Sequence, residues 1–299
     1  MIDLVLVTGF LGSGKTTLLK RIHQQNTGRK LVFLVNEFSA KDVDAELLKD
    51  DNESVISVAG GSIFCTCKTA EFIYQLKWIL ANHKNTEKVI IEASGTANLL
   101  DVGKMLTDAG LEKQFRLGRI ITIVDPVTLP KLLLTLPNIR RQLKCADYVL
   151  LNKADLAVSA DRLSVQKTIK EINSQARLEE TEYCGLKENI LNSDSLGSAK
   201  TADSDAHPPQ ENYSKFSISS SRPINPQKLE NLLKFWHNDI FRIKGYFKDN
   251  KNIRKRIDYS QSSGLQFFKA SQEKELHMEF IFGGINRGQL VNSIKELLN

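Results

Sequence analysis

The chain has 299 residues, of which 41% are hydrophobic and 25% charged, a composition that excludes a fibrous repeat and disorder throughout. The net charge of +6 is concentrated in residues 213–299, where 15 Lys and Arg face 8 Asp and Glu. No recognised nucleic-acid motif accompanies these scattered basic residues, so a nucleic-acid partner is not expected. No apolar run approaches the ~18 residues that span a bilayer, and the first residues lack the basic stretch of a signal peptide. We therefore expect a cytoplasmic protein without a membrane partner.

Residues 1–155 alternate short apolar runs with helical patterns. Strands are predicted at Leu4–Thr8, Leu31–Val35, Ser54–Val58, Lys88–Glu92, Arg119–Val124 and Tyr148–Leu151. Helices are predicted at Lys15–Gln25, Ala70–Ala81, Leu99–Ala109 and, beyond the last strand, Ala160–Asn173. Apolar strands without strict alternation, separated by helices, are typical of a parallel sheet that is buried on both faces. The sequence therefore predicts an α/β domain over residues 1–191.

A polar segment separates this domain from a smaller one. Residues 192–212 are rich in Ser, Asp and Ala, with a Pro pair, which predicts a flexible linker. Residues 213–299 are predicted to form an α+β domain with strands at Tyr213–Ser219, Phe241–Phe247, Gly264–Ala270 and Leu276–Phe282, and helices at Asn225–Trp236 and Arg287–Leu297. The basic run at residues 254–256 is interpreted as a solvated loop.

The clearest motif follows the first strand. Residues 9–16 read Gly-Phe-Leu-Gly-Ser-Gly-Lys-Thr, which fits G-x-x-x-x-G-K-[ST] between a strand and a helix. Such a loop wraps phosphates with its N–H groups, while Lys15 reaches the β- and γ-phosphates and Thr16 binds Mg²⁺. We expect a P-loop NTPase fold, with phosphate contacts from Gly9, Gly12, Ser13, Gly14, Lys15, Thr16 and Thr17.

A second motif, Asn152-Lys153-Ala154-Asp155, ends the strand Tyr148–Leu151. A carboxylate at Asp155 can accept hydrogen bonds from guanine N1–H and N2–H₂ together, an arrangement that adenine does not offer. We therefore expect Asn152, Lys153 and Asp155 to bind the base of GTP or GDP. The alternative is a plain strand-to-helix turn.

Two further strand ends carry carboxylates. Glu92 ends an apolar strand and is expected to act in catalysis and to bind Mg²⁺ or its waters, while the Gly95 N–H is a candidate contact of the γ-phosphate. Glu37 follows the second strand and is a candidate ligand of Mg²⁺ or of a second metal. In both cases the alternative is a carboxylate that is merely solvated.

These motifs together resemble the CobW-type family of P-loop GTPases, relatives of the hydrogenase and urease nickel-insertion GTPases. The similarity extends to the C-terminal domain, where residues 242–245 read Arg-Ile-Lys-Gly and resemble the family's Arg-x-Lys-Gly strand. The resemblance implies GTP hydrolysis coupled to delivery of zinc or cobalt to a client metalloprotein. A homo-oligomer is compatible with it.

The metal-carrying motif of that family is altered here. The family commonly has Gly-Cys-x-Cys-Cys, whereas this chain has Ser62 and Phe64 at the first two cysteine positions, followed by Cys65 and an additional Cys67. Zinc requires about four ligands. The two thiols with Glu37 would supply three, and the alternative is a pair of reduced thiols without metal. The other two cysteines, Cys145 and Cys184, are interpreted as packing residues.

The motifs and the family resemblance leave three functions to compare. The first is a slow GTPase whose nucleotide cycle drives delivery of a metal ion. The second is a nucleotide-regulated binding module without metal cargo. The third, a P-loop small-molecule kinase, is disfavoured because such kinases usually prefer adenine, which the Asn-Lys-x-Asp motif does not match.

Overall fold

The computed structural model describes residues 1–36, 55–58, 69–93, 101–192, 213–270, 276–283 and 286–298. The chain divides into two compact units, Met1–Pro209 and Gln210–Asn299. Within the described residues, no helix combines the length and apolar character needed to cross a membrane.

The first unit contains a seven-stranded sheet in which every strand pair is parallel. Its strands are β1 (Ile2–Gly9), β2 (Leu31–Asn36), β3 (Val55–Val58), β4 (Lys88–Glu92), β5 (Phe115–Val124), β6 (Tyr148–Asn152) and β7 (Arg177–Thr181). They lie in the order β3-β2-β4-β1-β5-β6-β7. The helices are α1 (Lys15–Gln25), α2 (Thr69–Asn82), α3 (Asp101–Asp108), α4 (Leu129–Thr135), α5 (Pro137–Cys145) and α6 (Ser159–Ile172).

The central strand β1 is buried on both faces. Leu4 and Leu6 join a core cluster with residues of α2 and α3, whereas Val5 and Val7 join a second cluster with residues of α1. Each such side chain stabilises the folded state by about 1.5–3 kcal/mol when it is fully buried. Apolar residues at successive positions therefore fix β1 in the middle of the sheet, and the glycine-rich loop that follows it lies at the carboxyl edge.

The second unit contains a five-stranded antiparallel sheet and two helices. The strands are β8 (Tyr213–Ser219), β9 (Ile240–Lys248), β10 (Arg254–Ser260), β11 (Gly264–Lys269) and β12 (His277–Gly283), and the helices are α7 (Pro226–Trp236) and α8 (Arg287–Lys295). The strands lie in the order β11-β10-β9-β12-β8. The apolar faces of both helices join one core cluster with residues of the strands. The Asn225 side chain accepts a hydrogen bond from the Gln227 N–H and so caps α7.

The α/β fold of the first unit and the α+β character of the second confirm the predicted fold class. One prediction in the second unit was wrong. Residues 254–256 begin β10, which pairs with both β9 and β11, and do not form a solvated loop. Their charges are accommodated at the sheet surface, where Lys255 Nζ lies 3.2 Å from Asp249 Oδ2 and the Arg256 guanidinium stacks 4.4 Å from the Phe268 ring centroid.

Candidate functional site

The glycine-rich loop at residues 9–14 joins β1 to α1 and curls around the Lys15 side chain. Lys15 is buried, and its Nζ donates to the carbonyl oxygens of Gly9 at 2.9 Å and Phe10 at 3.3 Å. The Thr16 side chain is half-buried, and Thr17 is exposed. A buried ammonium at a helix N-terminus creates a positive potential suited to a phosphate group.

Two glycines of this loop are required by their surroundings. Gly9 has φ of +145°, and a Cβ there would lie 2.3 Å from the Ile123 carbonyl oxygen. Gly14 has φ of +118°, and a Cβ there would lie 2.4 Å from Asn152 Nδ2. Both the left-handed backbone and the close approach of a neighbour therefore exclude a side chain at these positions.

Asn152, the last residue of β6, joins three elements of this edge. Its Nδ2 donates to the Ser13 carbonyl at 2.7 Å, while its Oδ1 accepts from Thr181 Oγ1 at 3.1 Å and from the Cys184 N–H at 2.9 Å. Asn152 is buried, so these bonds are shielded from water. The structure thus brings the first residue of the Asn-Lys-x-Asp motif against the phosphate loop.

Lys153 and Asp155 complete this motif in the loop after β6. Lys153 has a left-handed backbone with φ of +63°, and its Nζ lies 3.1 Å from Asp125 Oδ2 at the end of β5. Asp155 lies in a short 3₁₀ turn, Ala154–Leu156, and is exposed. A carboxylate in this position is open to a ligand rather than committed to the protein interior.

Glu92, at the end of β4, is buried beside the phosphate loop. Its Oε2 has no hydrogen-bond partner among the described residues. Burial raises the pKa of Glu92 to about 7, although the nearby Lys15 ammonium acts to lower it. Buried carboxylate oxygens without partners are costly. The site is therefore suited to a cation or a water molecule that would satisfy this oxygen.

Two residues of the site were not predicted from the sequence, and a third, Cys184, is buried in a core cluster as predicted but has a further role. Asp125 and Thr181 were not singled out, and Cys184, interpreted as a packing residue, also donates its backbone N–H to Asn152. Burial raises the pKa of the Cys184 thiol to about 12, so the thiol stays protonated and its Sγ donates to the Gly14 carbonyl at 3.5 Å. The position of Asp125 at a strand end of the carboxyl edge was the signal available in the sequence.

Four predicted site residues, Glu37, Cys65, Cys67 and Gly95, lie outside the described residues. Across the described ranges, no group of three or more His, Cys, Asp or Glu side chains is arranged to hold a metal ion.

A glycine-rich loop between β1 and α1, with a buried lysine at the carboxyl edge of a parallel sheet, defines a P-loop nucleotide-binding domain. Comparison with protein families identifies the class further. The CobW/HypB/UreG nucleotide-binding domain matches residues 3–179, and the cobalamin synthesis protein cobW C-terminal domain matches residues 213–298. The chain therefore belongs to the CobW/HypB/UreG family.

Among similar proteins, the zinc-regulated GTPase metalloprotein activator 1 of Schizosaccharomyces pombe is 29% identical over 77% of this chain and 58% of its own length. The zinc chaperone YjiA of Escherichia coli is 30% identical over 58% of this chain and 56% of its own length. The crystal structure of the Zn(II)-bound YjiA GTPase from E. coli covers 100% of this chain and 99% of that chain at 19% identity, with a TM-score of 0.42. The alignments span a little over half the length of the two relatives compared by sequence.

Proposed function

We propose that this chain binds GTP at the carboxyl edge of the parallel sheet and hydrolyses it to GDP and phosphate. The observation that carries the proposal is the hydrogen bond from Asn152 Nδ2 to the Ser13 carbonyl. This bond holds the base-recognition loop against the phosphate loop, so that one nucleotide can contact both.

Guanine selectivity is assigned to Asp155. Its exposed carboxylate would accept from N1–H and N2–H₂ of guanine, whereas adenine presents an acceptor at N1 and no amine at C2. Lys153, held by its ion pair with Asp125, fixes the backbone from which Asp155 projects.

The residues present fit a magnesium ion bound with the nucleotide. Glu92 offers a buried oxygen without a partner among the described residues, and Thr16 offers a hydroxyl at the first turn of α1. When bound, Mg²⁺ supplies positive charge to the phosphate oxygens. Lys15 would stabilise negative charge that develops on the β- and γ-phosphates. Since we identify neither a general base nor an arginine finger among the described residues, we expect slow intrinsic turnover.

The nucleotide cycle is proposed to control delivery of a metal ion of the zinc or cobalt class to a client metalloprotein. Support comes from family membership and from relatives that are named zinc chaperones. Cys65 and Cys67, with Glu37, are the proposed ligands of that cargo, and Gly95 is the proposed contact that senses the γ-phosphate. Thiolate ligands need reduced cysteines, in keeping with a cytoplasmic location.

The direct test is phosphate release from GTP by the full chain, measured with and without Zn²⁺ and Co²⁺. We expect slow release that Lys15→Ala abolishes and that Lys113→Ala, an exposed lysine in the same unit, leaves unchanged. Absence of release under every condition would favour the nucleotide-regulated binding module.

Metal cargo is tested separately by titrating Zn²⁺ and Co²⁺ into the wild type and the Cys65→Ala/Cys67→Ala variant, each with and without GTP. We expect the variant to bind metal more weakly and the wild-type affinity to depend on the nucleotide. Equal affinities in the two proteins would remove the thiols from the proposed function.

A further inference from the structure

A cavity lies at the amino edge of the parallel sheet, opposite the edge that carries the phosphate loop, and it is lined by charged groups. It has a volume of about 270 Å³. Four of its lining residues are cationic, and one, Asp3, is a carboxylate. The cationic residues are Arg29, Lys88, Arg116 and Arg119.

This cavity is remote from the nucleotide site. Asp3 lies near the amino end of β1 and Gly9 at its carboxyl end. Six residues of extended strand separate the two by roughly 20 Å. A ligand of the phosphate loop therefore does not reach the amino-edge cavity.

Asp3 neutralises only part of this positive charge. Lys88 Nζ lies 2.6 Å from Asp3 Oδ2, and Arg116 Nε donates to Asp3 Oδ1. Burial acts to raise the pKa of Asp3, but the hydrogen bonds from Arg116 and Lys88 outweigh it and lower that pKa. The carboxylate is therefore ionised near neutral pH and serves to orient the two cations.

Arginine donors remain for a ligand. Arg116 uses only its Nε in contacts with the described residues, and its side chain is 56% exposed. Arg29 binds Glu87 through Nε and binds Asn26 and Asn192 through Nη1, which leaves Nη2 without a described partner. Guanidinium groups pair with phosphate and carboxylate oxygens in bidentate geometry.

We propose that the amino-edge cavity is a second binding site, and that it takes a compact dianion that carries phosphate or carboxylate groups. Its volume lies just below the usual range for small-molecule pockets, which favours a ligand of few atoms. Its lining offers charge and hydrogen-bond donors rather than an apolar surface. The proposal does not depend on guanine binding or on GTP hydrolysis.

The test is calorimetric titration of inorganic phosphate and, separately, of succinate into the full chain, with excess GDP and Mg²⁺ present to occupy the phosphate loop. Four proteins are compared: the wild type, Arg116→Gln, Arg29→Gln/Arg116→Gln, and the control Lys104→Gln/Lys113→Gln. The control removes two exposed lysines of the same unit that do not line the cavity. The single Arg116 variant is included because Arg29 also holds Glu87 and Asn192.

We expect saturable binding of at least one dianion to the wild type and the control, weakened about tenfold or more in both cavity variants. Hydrogen exchange should slow at residues 115–119 and 189–192 of the wild type when that dianion is added. A preference for phosphate or for succinate identifies the chemical class of the ligand. The proposal is overturned if neither anion binds saturably up to about 10 mM, or if the cavity variants bind as the wild type does.

Discussion

The side-chain amide of Asn152 lies 2.7 Å from the carbonyl oxygen of Ser13, so the residue that begins the Asn-Lys-x-Asp motif also contacts the phosphate loop. The same side chain accepts from Thr181, the last residue of β7, and from Cys184 in the turn that follows, so it also connects both loops to this end of β7. One buried amide therefore connects the two motifs that form the proposed nucleotide site.

Replacing Asn152 with Ala should weaken binding of guanine nucleotides and destabilise the protein. The substitution leaves three buried polar groups without their partner, and each such loss costs about 1–3 kcal/mol. Affinity for GDP, measured by calorimetry, and the free energy of unfolding in urea should both fall.

The control is Asn173→Ala. Asn173 is also buried and bridges backbone groups, but it does so at the carbonyls of Leu143, Lys144 and Ala146. The Asn173→Ala substitution should destabilise the protein and leave the affinity of the folded protein for GDP unchanged. Equal loss of GDP affinity in both variants would contradict a specific role for Asn152.

Replacing Asp155 with Asn should change base selectivity. The asparagine amide can no longer accept from both N1–H and N2–H₂ of guanine. Its NH₂ can instead donate to the oxygen that xanthine carries at C2, where guanine carries its amine. We expect GDP to bind about 100-fold more weakly and XDP to bind more tightly. Asp161→Asn, an exposed aspartate on α6, serves as control. Unchanged GDP affinity in the Asp155 variant would show that this residue does not read the base.

Glu92 should give the nucleotide-free protein a characteristic pH dependence. Its pKa in the folded protein is about 7, above the 4.5 of the unfolded chain, because burial disfavours the carboxylate. Between these values the folded state binds more protons, so the free energy of unfolding falls as the pH rises from about 4.5 through about 7 and then levels off. The decline should reach up to about 3 kcal/mol.

Urea unfolding of the wild type and Glu92→Gln at pH 5, 6 and 7.5, without nucleotide or magnesium, measures this effect. The variant should lack the decline, because its amide does not titrate. Glu112→Gln, at an exposed position, should behave as the wild type. A wild-type decline that persists in Glu92→Gln would assign it to another group.

The ion pair between Asp125 and Lys153 should strengthen nucleotide binding. Asp125→Asn removes the charge that holds Lys153 Nζ and should weaken GDP binding about tenfold. Asp125 also accepts from the Val127 N–H. Asp249→Asn in the other unit is the control, since Asp249 accepts from the Lys251 and Ile253 N–H groups and pairs with Lys255. If GDP affinity were unchanged in both variants, the ion pair between Asp125 and Lys153 would have no role in nucleotide binding.

Elements with a clear apolar period could be predicted from the sequence, and some charged elements could not. The bounds predicted for α1, β4 and β8 agree with the structure. The strand β7 has the sequence Arg-Leu-Glu-Glu-Thr and lies at the sheet edge, so its charges obscure the strand pattern. In β10, Ile257 and Tyr259 are buried on alternate positions, but the preceding basic run conceals that period.

The residues of the candidate site also fall into those that the sequence predicts and those that it does not. The phosphate loop and the Asn-Lys-x-Asp motif are each a single unbroken run of residues, so residue types and spacing within each run were sufficient to find them. Thr181 and Cys184 act through hydrogen bonds to the distant Asn152, which no local pattern encodes. Asp125 was marked only by its position at a strand end, because its partner Lys153 is distant in the sequence. The helices α4 and α5 were not predicted, and each has a proline within its first two positions.

The most direct measurement is calorimetric titration of GDP and of ADP, each with Mg²⁺, into the nucleotide-free full chain. Recognition of guanine by Asp155 and of phosphates by Lys15 predicts one GDP site per chain, ADP binding at least about 100-fold weaker, and loss of GDP binding in Lys15→Ala. Absence of GDP binding, or equal affinity for GDP and ADP, would contradict guanine-nucleotide binding at this site.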